Sequence, residues 1–294
     1  MEKKDIAKII DHTLLSPDAK EDDILRLCSE AREYGFASCC VNPYYVPLCA
    51  ELLKNTGVSV CTVVGFPLGA CSAEDKAQQA CICVKQGADE VDMVINIGAA
   101  KDGKWNQVLS EISAVRKAVD SVFPHKKIIL KVILETCLLL PQEIVSACQK
   151  AMEGGADFVK TSTGFSTAGA SVEAVSLMRK TVGTSLGVKA SGGIHTFEEA
   201  VSMVNAGATR LGCSASLKII KNKKIMENAN ELKNSLGKDK ISVLMVKLAV
   251  PSVLAYLVNI LYNIVDRIYI GHIVSADGEE GLAAGRRRPV GVRG

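Results

Sequence analysis

Between residues 9 and 220 the chain alternates short β-branched runs with longer segments of helical period. The runs are "IIDHTLL" (9–15), "SCCVN" (38–42), "VSVCTVVGF" (58–66), "EVDMVINI" (90–97), "KIILKVILE" (127–135), "DFVKTST" (157–163), "GVKAS" (187–191) and "TRLGCS" (209–214). Several are almost continuously apolar, the pattern of parallel strands covered on both faces. Between them lie helix patterns such as "AEDKAQQACICVKQGA" (73–88) and "TFEEAVSMVNAGA" (196–208). Three helices run into strands in the same way, through "KQGADEVD", "EGGADFVK" and "NAGATRLG". Each reads as a C-cap glycine, a small residue and then a strand. Eight β units with helices between them, in about 210 residues, predict a (β/α)8 TIM barrel. An open doubly wound sheet would put a glycine-rich phosphate loop after the first strand, and "DHTLLSPDA" is not one. In a barrel the C-terminal ends of all strands open on one mouth, so polar residues there are the candidates for chemistry.

Two of those ends carry a lysine, in "FVKTSTG" (158–164) and "GVKASGG" (187–193). Burying an ammonium is costly unless it is paired or neutral. Lys160 and Lys189 lie on consecutive strands, so a barrel sets them side by side, where each disfavours the charged form of the other. A neutral lysine amine attacks carbonyl compounds and forms Schiff bases. Asp92, in "EVDMV", sits on a third strand and can move protons at the carbon beside an iminium. A nucleophilic lysine, a tuning lysine and a carboxylate outline a metal-free aldolase. Taken singly, a strand-end lysine is a solvated rim residue, and Asp92 a carboxylate satisfying backbone N–H groups. Three together on different strands resist that reading. Lys131, in "ILKVILET", is a further inward-pointing candidate and is grouped with substrate binding.

Glycines follow the last three strands in "STG" (162–164), "SGG" (191–193) and "GCS" (212–214). Loops at that position in barrels commonly hold a phosphate, because glycine lets backbone N–H groups approach an anion closely. Tight turns alone also account for each glycine.

"IDHTLL", "VDMVINIGAAKDG", "LKVILET", "FVKTSTGFSTAGAS", "VKASGGI" and "TRLGCSA" together resemble the successive signatures of the deoxyribose-phosphate aldolase family, over roughly residues 5 to 220. The resemblance implies a class I aldolase on a (β/α)8 barrel. Its substrates would be 2-deoxy-D-ribose 5-phosphate in one direction, and D-glyceraldehyde 3-phosphate with acetaldehyde in the other. No cofactor and no metal are implied. By motif, Lys160 resembles the Schiff-base lysine, Lys189 the lysine that tunes it, and Asp92 the proton-relay aspartate. Asp11 and Thr13 match the substrate-contacting pair of the first strand, and Thr163 a site threonine. Gly164, Gly192, Gly193 and Ser214 match phosphate-loop positions. Some members carry a lysine after the STG glycine and a second serine after Ser214; here the residues are Phe165 and Ala215. Those departures leave open another Schiff-base aldolase acting on a different phosphorylated sugar or a keto acid.

Charge and cysteine usage bound the rest. Residues 1–220 hold 23 Lys and Arg against 25 Asp and Glu, so the body offers no electrostatic case for nucleic acid. All eleven cysteines lie between Cys28 and Cys213, with no C-x-x-C spacing, and the first residues show no signal-peptide pattern. Reduced thiols in a cytoplasmic protein are expected, with room for a homo-oligomer. The barrel is assigned to 1–222, and 223–240 reads as a terminal helix and linker. Residues 241–273 form a hydrophobic stretch whose core, "LAVPSVLAYLVNILYNIV" (248–265), has no charged residue and a length that would span a bilayer. Residues 237–273 resemble the N-terminal arm and first membrane helix of multidrug and toxic compound extrusion transporters. That family needs about a dozen helices, so the segment is expected to be an accidental join of two neighbouring genes with a frame shift, with a genuine anchor, in a membrane-tethered or transport-associated protein, as the alternative. Any membrane contact would run through it. The Gly/Arg-rich stretch 274–294 reads as a disordered tail.

Overall fold

The computed structural model describes residues 3–123 and 125–221. The chain divides into two units, Met1–Ile225 and Met226–Gly294, and every described residue belongs to the first. The expected terminal helix and linker, hydrophobic segment and tail lie outside the described residues. Among those that are described, no helix is long and apolar enough to cross a membrane.

Eight strands form a closed, all-parallel barrel in sequence order. They are β1 (Ile10–Leu14), β2 (Ser38–Val41), β3 (Ser59–Val64), β4 (Glu90–Val94), β5 (Ile129–Ile133), β6 (Phe158–Lys160), β7 (Gly187–Ser191) and β8 (Arg210–Cys213). The helices are α1 (Lys3–Ala7), α2 (Glu21–Tyr34), α3 (Val46–Leu52), α4 (Ala73–Lys85), α5 (Ile97–Lys101), α6 (Trp105–Val122), α7 (Pro141–Glu153), α8 (Val172–Val182), α9 (Phe197–Asn205) and α10 (Ser216–Lys221). The expected barrel is therefore the observed one.

The repeated helix-to-strand junction has a physical explanation. Gly87, Gly155 and Gly207 all adopt positive φ, as the left-handed residue of a Schellman cap requires. The next residue closes each cap: Ala88 N–H donates to Cys83 O, Ala156 to Ala151 O and Ala208 to Met203 O. The third residue then locks the new strand to the previous one. Asp89, Asp157 and Thr209 donate their N–H to the carbonyls of Val60, Leu130 and Val188. Their side-chain oxygens accept the N–H of those same three residues. One tripeptide thus ends a helix and sets a strand register.

Strand alternation divides the interior in two. Val60, Val91, Met93, Leu130, Val188 and Leu211 belong to the large apolar cluster shared with the helices. Inside the barrel the apolar content is small, with Leu15, Cys40, Cys61 and Val63 packed together. Val94 and Ile133 follow Asp92 and Lys131 in the same inward register. Many of the other interior positions are polar or charged, among them Asp11, Ser38, Glu90, Asp92, Lys131, Lys160 and Lys189.

Seven of the eight strands are shorter than their runs in the sequence, β7 alone matching, and two of the ends have a local cause. β4 stops at Val94 because Asn96 caps α5, its side chain accepting Ala99 N–H at 3.0 Å. β6 stops at Lys160 because side chains replace the ladder: Thr161 Oγ1 donates to Ser191 O and accepts Ser191 N–H.

Candidate active site

The register brings the sequence candidates together. Lys160 pairs with Lys189 across β6 and β7, and Asp92 with Lys131 across β4 and β5. Asp92 is fully buried and receives three ammonium groups. Lys131 Nζ donates to its Oδ1 at 2.7 Å, while Lys160 and Lys189 both donate to Oδ2, at 2.9 and 2.7 Å. Two lysines therefore share one carboxylate oxygen.

Asp11 forms the second hub. Lys189 Nζ lies 2.5 Å from its Oδ2, and Arg210 and Ser38 donate to its Oδ1 at 2.6 and 2.7 Å. Glu90 forms a third, 2.6 Å from Lys131 Nζ and 3.2 Å from Arg210 Nη1. Four basic side chains therefore face three carboxylates in one connected network. Burial opposes ionisation of Asp92, but the Lys131, Lys160 and Lys189 charges outweigh it and hold its pKa well below the usual range. Burial likewise opposes the charge on Lys189, and Asp11 and Asp92 outweigh it, so its pKa lies above that of a free lysine. Lys131 is raised in the same way, burial against it and Asp92 foremost among the carboxylates for it. Lys189 and Lys131 are thus fixed cations.

Above this network lies a cavity of about 490 Å³. Lys160 borders it, as do Thr13, Thr163, Gly164, Gly192, Gly193 and Ser214. Asp11, Asp92, Lys131 and Lys189 are buried beneath its lining and reach it only through their partners. Lys131, grouped with substrate binding from sequence, holds Asp92 and Glu90 from below. A second hollow, about 590 Å³, lies where β3, β4 and β5 begin, and of the network only Glu90 borders it.

The glycine loops converge as expected. Gly164, Gly192 and Gly193 all have positive φ. Gly169, which sequence reasoning passed over, is equally constrained: a Cβ there would sit 2.2 Å from Gly192 O. Glu135 was also missed. It is buried, with φ of +58°, and both its oxygens accept the Thr163 N–H at 3.3 Å while one also accepts the Thr163 hydroxyl. A left-handed non-glycine residue costs roughly 1–2 kcal/mol, and here that conformation aims a carboxylate at the residue beside the cavity. Its place directly before Thr136 in "LKVILET" was the available signal. Glu90 and Arg210 left only a weaker trace, charges at the start of apolar strands.

Among the described residues, potential metal-ligating atoms cluster in two interior groups, Cys40–Cys61–Asp92 and Asp11–Cys61–Glu90. The carboxylates of both groups already carry lysine or arginine donors.

Residues 6–222 match the model of the DeoC/LacD aldolase family. The chain belongs to that family. Among relatives, it is 57% identical over 215 residues to a deoxyribose-phosphate aldolase of Caldanaerobacter subterraneus subsp. tengcongensis, covering 73% of this chain and 92% of the relative. Identity to the deoxyribose-phosphate aldolase of a Thermoanaerobacter species is 55% over 230 residues, 78% of this chain and 99% of that one. A solved tetrameric deoxyribose phosphate aldolase from Aeropyrum pernix superposes with a TM-score of 0.70 at 35% identity, covering 76% and 92% of the two chains. The family match ends at residue 222, so the stretch resembling an extrusion transporter falls outside both it and the described residues.

Proposed function

We propose that this chain is a class I aldolase that reversibly cleaves 2-deoxy-D-ribose 5-phosphate to D-glyceraldehyde 3-phosphate and acetaldehyde, the activity its relatives are named for. One observation carries the reading. Among the described residues, Lys160 is the interior lysine that borders the cavity, and it has one carboxylate partner, shared with Lys189.

In cleavage, the Lys160 amine adds to the C1 aldehyde of the open-chain sugar, and loss of water gives an iminium. The C3 hydroxyl then loses its proton, the C2–C3 bond breaks, and its electron pair moves into the enamine left on Lys160. Glyceraldehyde 3-phosphate leaves. Protonation of the enamine at C2 and hydrolysis of the iminium release acetaldehyde and restore the amine. Asp92 is assigned the proton transfers because its Oδ2 lies against both Lys160 and Lys189. Lys189 is assigned the fixed positive charge that shares this oxygen. Asp11 orients Lys189 and Lys131 orients Asp92, while Thr13 and Thr163 meet the sugar. Gly164, Gly192, Gly193 and Ser214 supply N–H and hydroxyl donors to the phosphate. No step calls for a metal or cofactor.

Borohydride reduction in the presence of acetaldehyde is expected to leave a two-carbon adduct on Lys160. An adduct on another lysine, or none, overturns the assignment. A second reading, an aldolase for another phosphorylated sugar or keto acid, is favoured by Phe165, which is 52% exposed at the cavity. Turnover of deoxyribose 5-phosphate against a panel of such substrates separates the two. The named tetramer among the relatives supports a homo-oligomer, and a cytoplasmic location fits the substrates. We assign the activity to residues 1–222 and none of it to the transporter-like segment; a chain ending at Lys233 is expected to keep full turnover.

A further inference from the structure

The first-strand motif sets Asp11 and Thr13 at the site and leaves the residue between them without a role. His12 points the other way, toward the helices, and is 4% exposed, its ring 5.0 Å from that of Phe36. Both ring nitrogens are engaged. Nε2 lies 2.8 Å from Glu30 Oε2 on α2, and Nδ1 lies 2.9 Å from Ser216 Oγ at the first position of α10. Ser216 is itself fully buried, and its hydroxyl donates to Cys213 O at 2.9 Å. Gly212, Cys213 and Ser214 border the cavity. A hydrogen-bonded chain therefore runs from α2 through His12 and Ser216 to the backbone of the cavity wall.

We propose that His12 is a positioning residue for the Gly212–Ser214 wall and thereby sets affinity for the substrate's phosphate. The inference rests on the aldolase reading above. β8 ends at Cys213, and Ser214 and Ala215 have no strand or helix of their own before α10 begins. The Cys213 carbonyl is held by Ser216, and Ser216 by His12, so the wall's position is fixed from outside the barrel. Lys160 and Asp92 hang on other strands and do not touch this chain of bonds. The effect of His12 is therefore on binding and not on the Schiff-base chemistry.

The test uses replacements that keep one arm at a time. Asparagine reproduces the Nδ1 arm toward Ser216, and glutamine the Nε2 arm toward Glu30. His12→Gln is expected to raise the KM for deoxyribose 5-phosphate roughly tenfold, the scale of one net hydrogen bond. The preference for deoxyribose 5-phosphate over deoxyribose, as kcat/KM, falls by the same factor. His12→Asn stays within about threefold of wild type, under half the free energy of one net hydrogen bond. Ser216→Ala, which removes the arm from its other end, should match His12→Gln and covers the case in which that variant fails to fold. Exchange of acetaldehyde methyl protons with deuterated solvent needs the Schiff base and no phosphate, so it stays at the wild-type rate in all three. An unmoved preference in His12→Gln and Ser216→Ala overturns the inference, as does exchange that falls in step with turnover. A wild-type protein indifferent to the phosphate removes the substrate reading and this inference with it. Discrimination in wild type that survives both variants removes this inference alone.

Discussion

At the floor of the barrel interior every charge has more than one partner. Arg210 meets Asp11 and Glu90, Lys131 meets Glu90 and Asp92, and Lys189 meets Asp11 and Asp92. At the mouth Lys160 meets Asp92 alone and borders open space. Desolvating an ion costs several kcal/mol, which only near-complete pairing offsets. The floor meets that condition and is therefore rigid, whereas the mouth leaves an amine with hydrogen-bonding capacity to spend on a substrate carbonyl. The same residue type thus serves as a structural cation in one layer and a reactive group in the next. What separates the two is partner count, not burial, since Lys160 is only 2% exposed and Lys189 not at all.

The largest expected effect breaks the mouth and spares the floor. Lys160→Ala is expected to lower turnover by about 10⁴-fold or more, the scale for deleting a covalent nucleophile. Asp92 keeps two lysine partners in that variant, so its urea unfolding midpoint should stay close to wild type. Residual turnover within tenfold of wild type would place the nucleophile elsewhere.

Glu90→Gln makes the opposite break. It removes a carboxylate from beneath Lys131 and Arg210 while keeping the volume, leaving both cations under-compensated in a buried site. Breaking a buried pair in this way costs about 3–5 kcal/mol, read as a shift in the urea midpoint. Turnover should fall far less than in Lys160→Ala, because Asp92 still has all three ammonium groups. A stability loss under about 1 kcal/mol would mean that the floor is not the closed network described, since surface pairs are worth no more than that.

How much of this contrast is legible in the sequence follows from what strand period can and cannot encode. The barrel was legible because eight apolar runs and a tripeptide recurring at three junctions leave few topologies. Lys160, Lys189 and Asp92 were legible because a charge inside an apolar strand is anomalous by itself. Glu90 and Arg210 were not, because charges at a strand's first residue look like solvated entry positions; only barrel closure, which pairs β1 with β8, turns Arg210 toward Asp11 and Glu90. Asp11 and Lys131 were found, but their depth was not. Alternation says which residues face inward and not how far below the mouth each one lies. Glu135 was hidden for another reason, since its role depends on a left-handed backbone that glutamate rarely adopts.

pH separates the layers more gently. Asp11 and Asp92 are fully buried, which opposes their ionisation, yet the lysine charges hold both pKa values below the ordinary 3.8. Their contribution to stability is whole above that value and is lost as pH falls through the lowered folded-state values. Lys131 and Lys189 lie above 10.5 despite burial, so their contribution is whole below that value and is lost as pH rises through the raised folded-state values. The floor should therefore contribute a flat stability between about pH 5 and pH 9, with acid loss beginning below about pH 4. Urea titrations across that range check this. A slope of more than about 1 kcal/mol between pH 6 and pH 9 that disappears in Glu90→Gln would show a floor group titrating there.

The smallest expected effect adds a charge to the mouth. Phe165 follows Gly164 on the cavity rim, its ring 5.2 Å from that of Phe66 in an edge-on contact, and its N–H donates to Thr163 Oγ1 at 3.1 Å. Phe165→Lys leaves the backbone bond in place and puts a cation beside the glycine loops. Because the position is 52% exposed, water screens the new attraction to roughly 0.2–1 kcal/mol. The KM for deoxyribose 5-phosphate should therefore fall by about fivefold at most, with kcat unchanged because nothing below Lys160 is disturbed. Raising the ionic strength to about 1 M shortens the screening length to roughly 3 Å and should erase the gain. Phe165→Ala controls for the lost ring contact and should not reproduce the lower KM. A lower KM for unphosphorylated deoxyribose in Phe165→Lys would mean that the rim was reshaped, not charged, and that the phosphate does not bind beside Gly164.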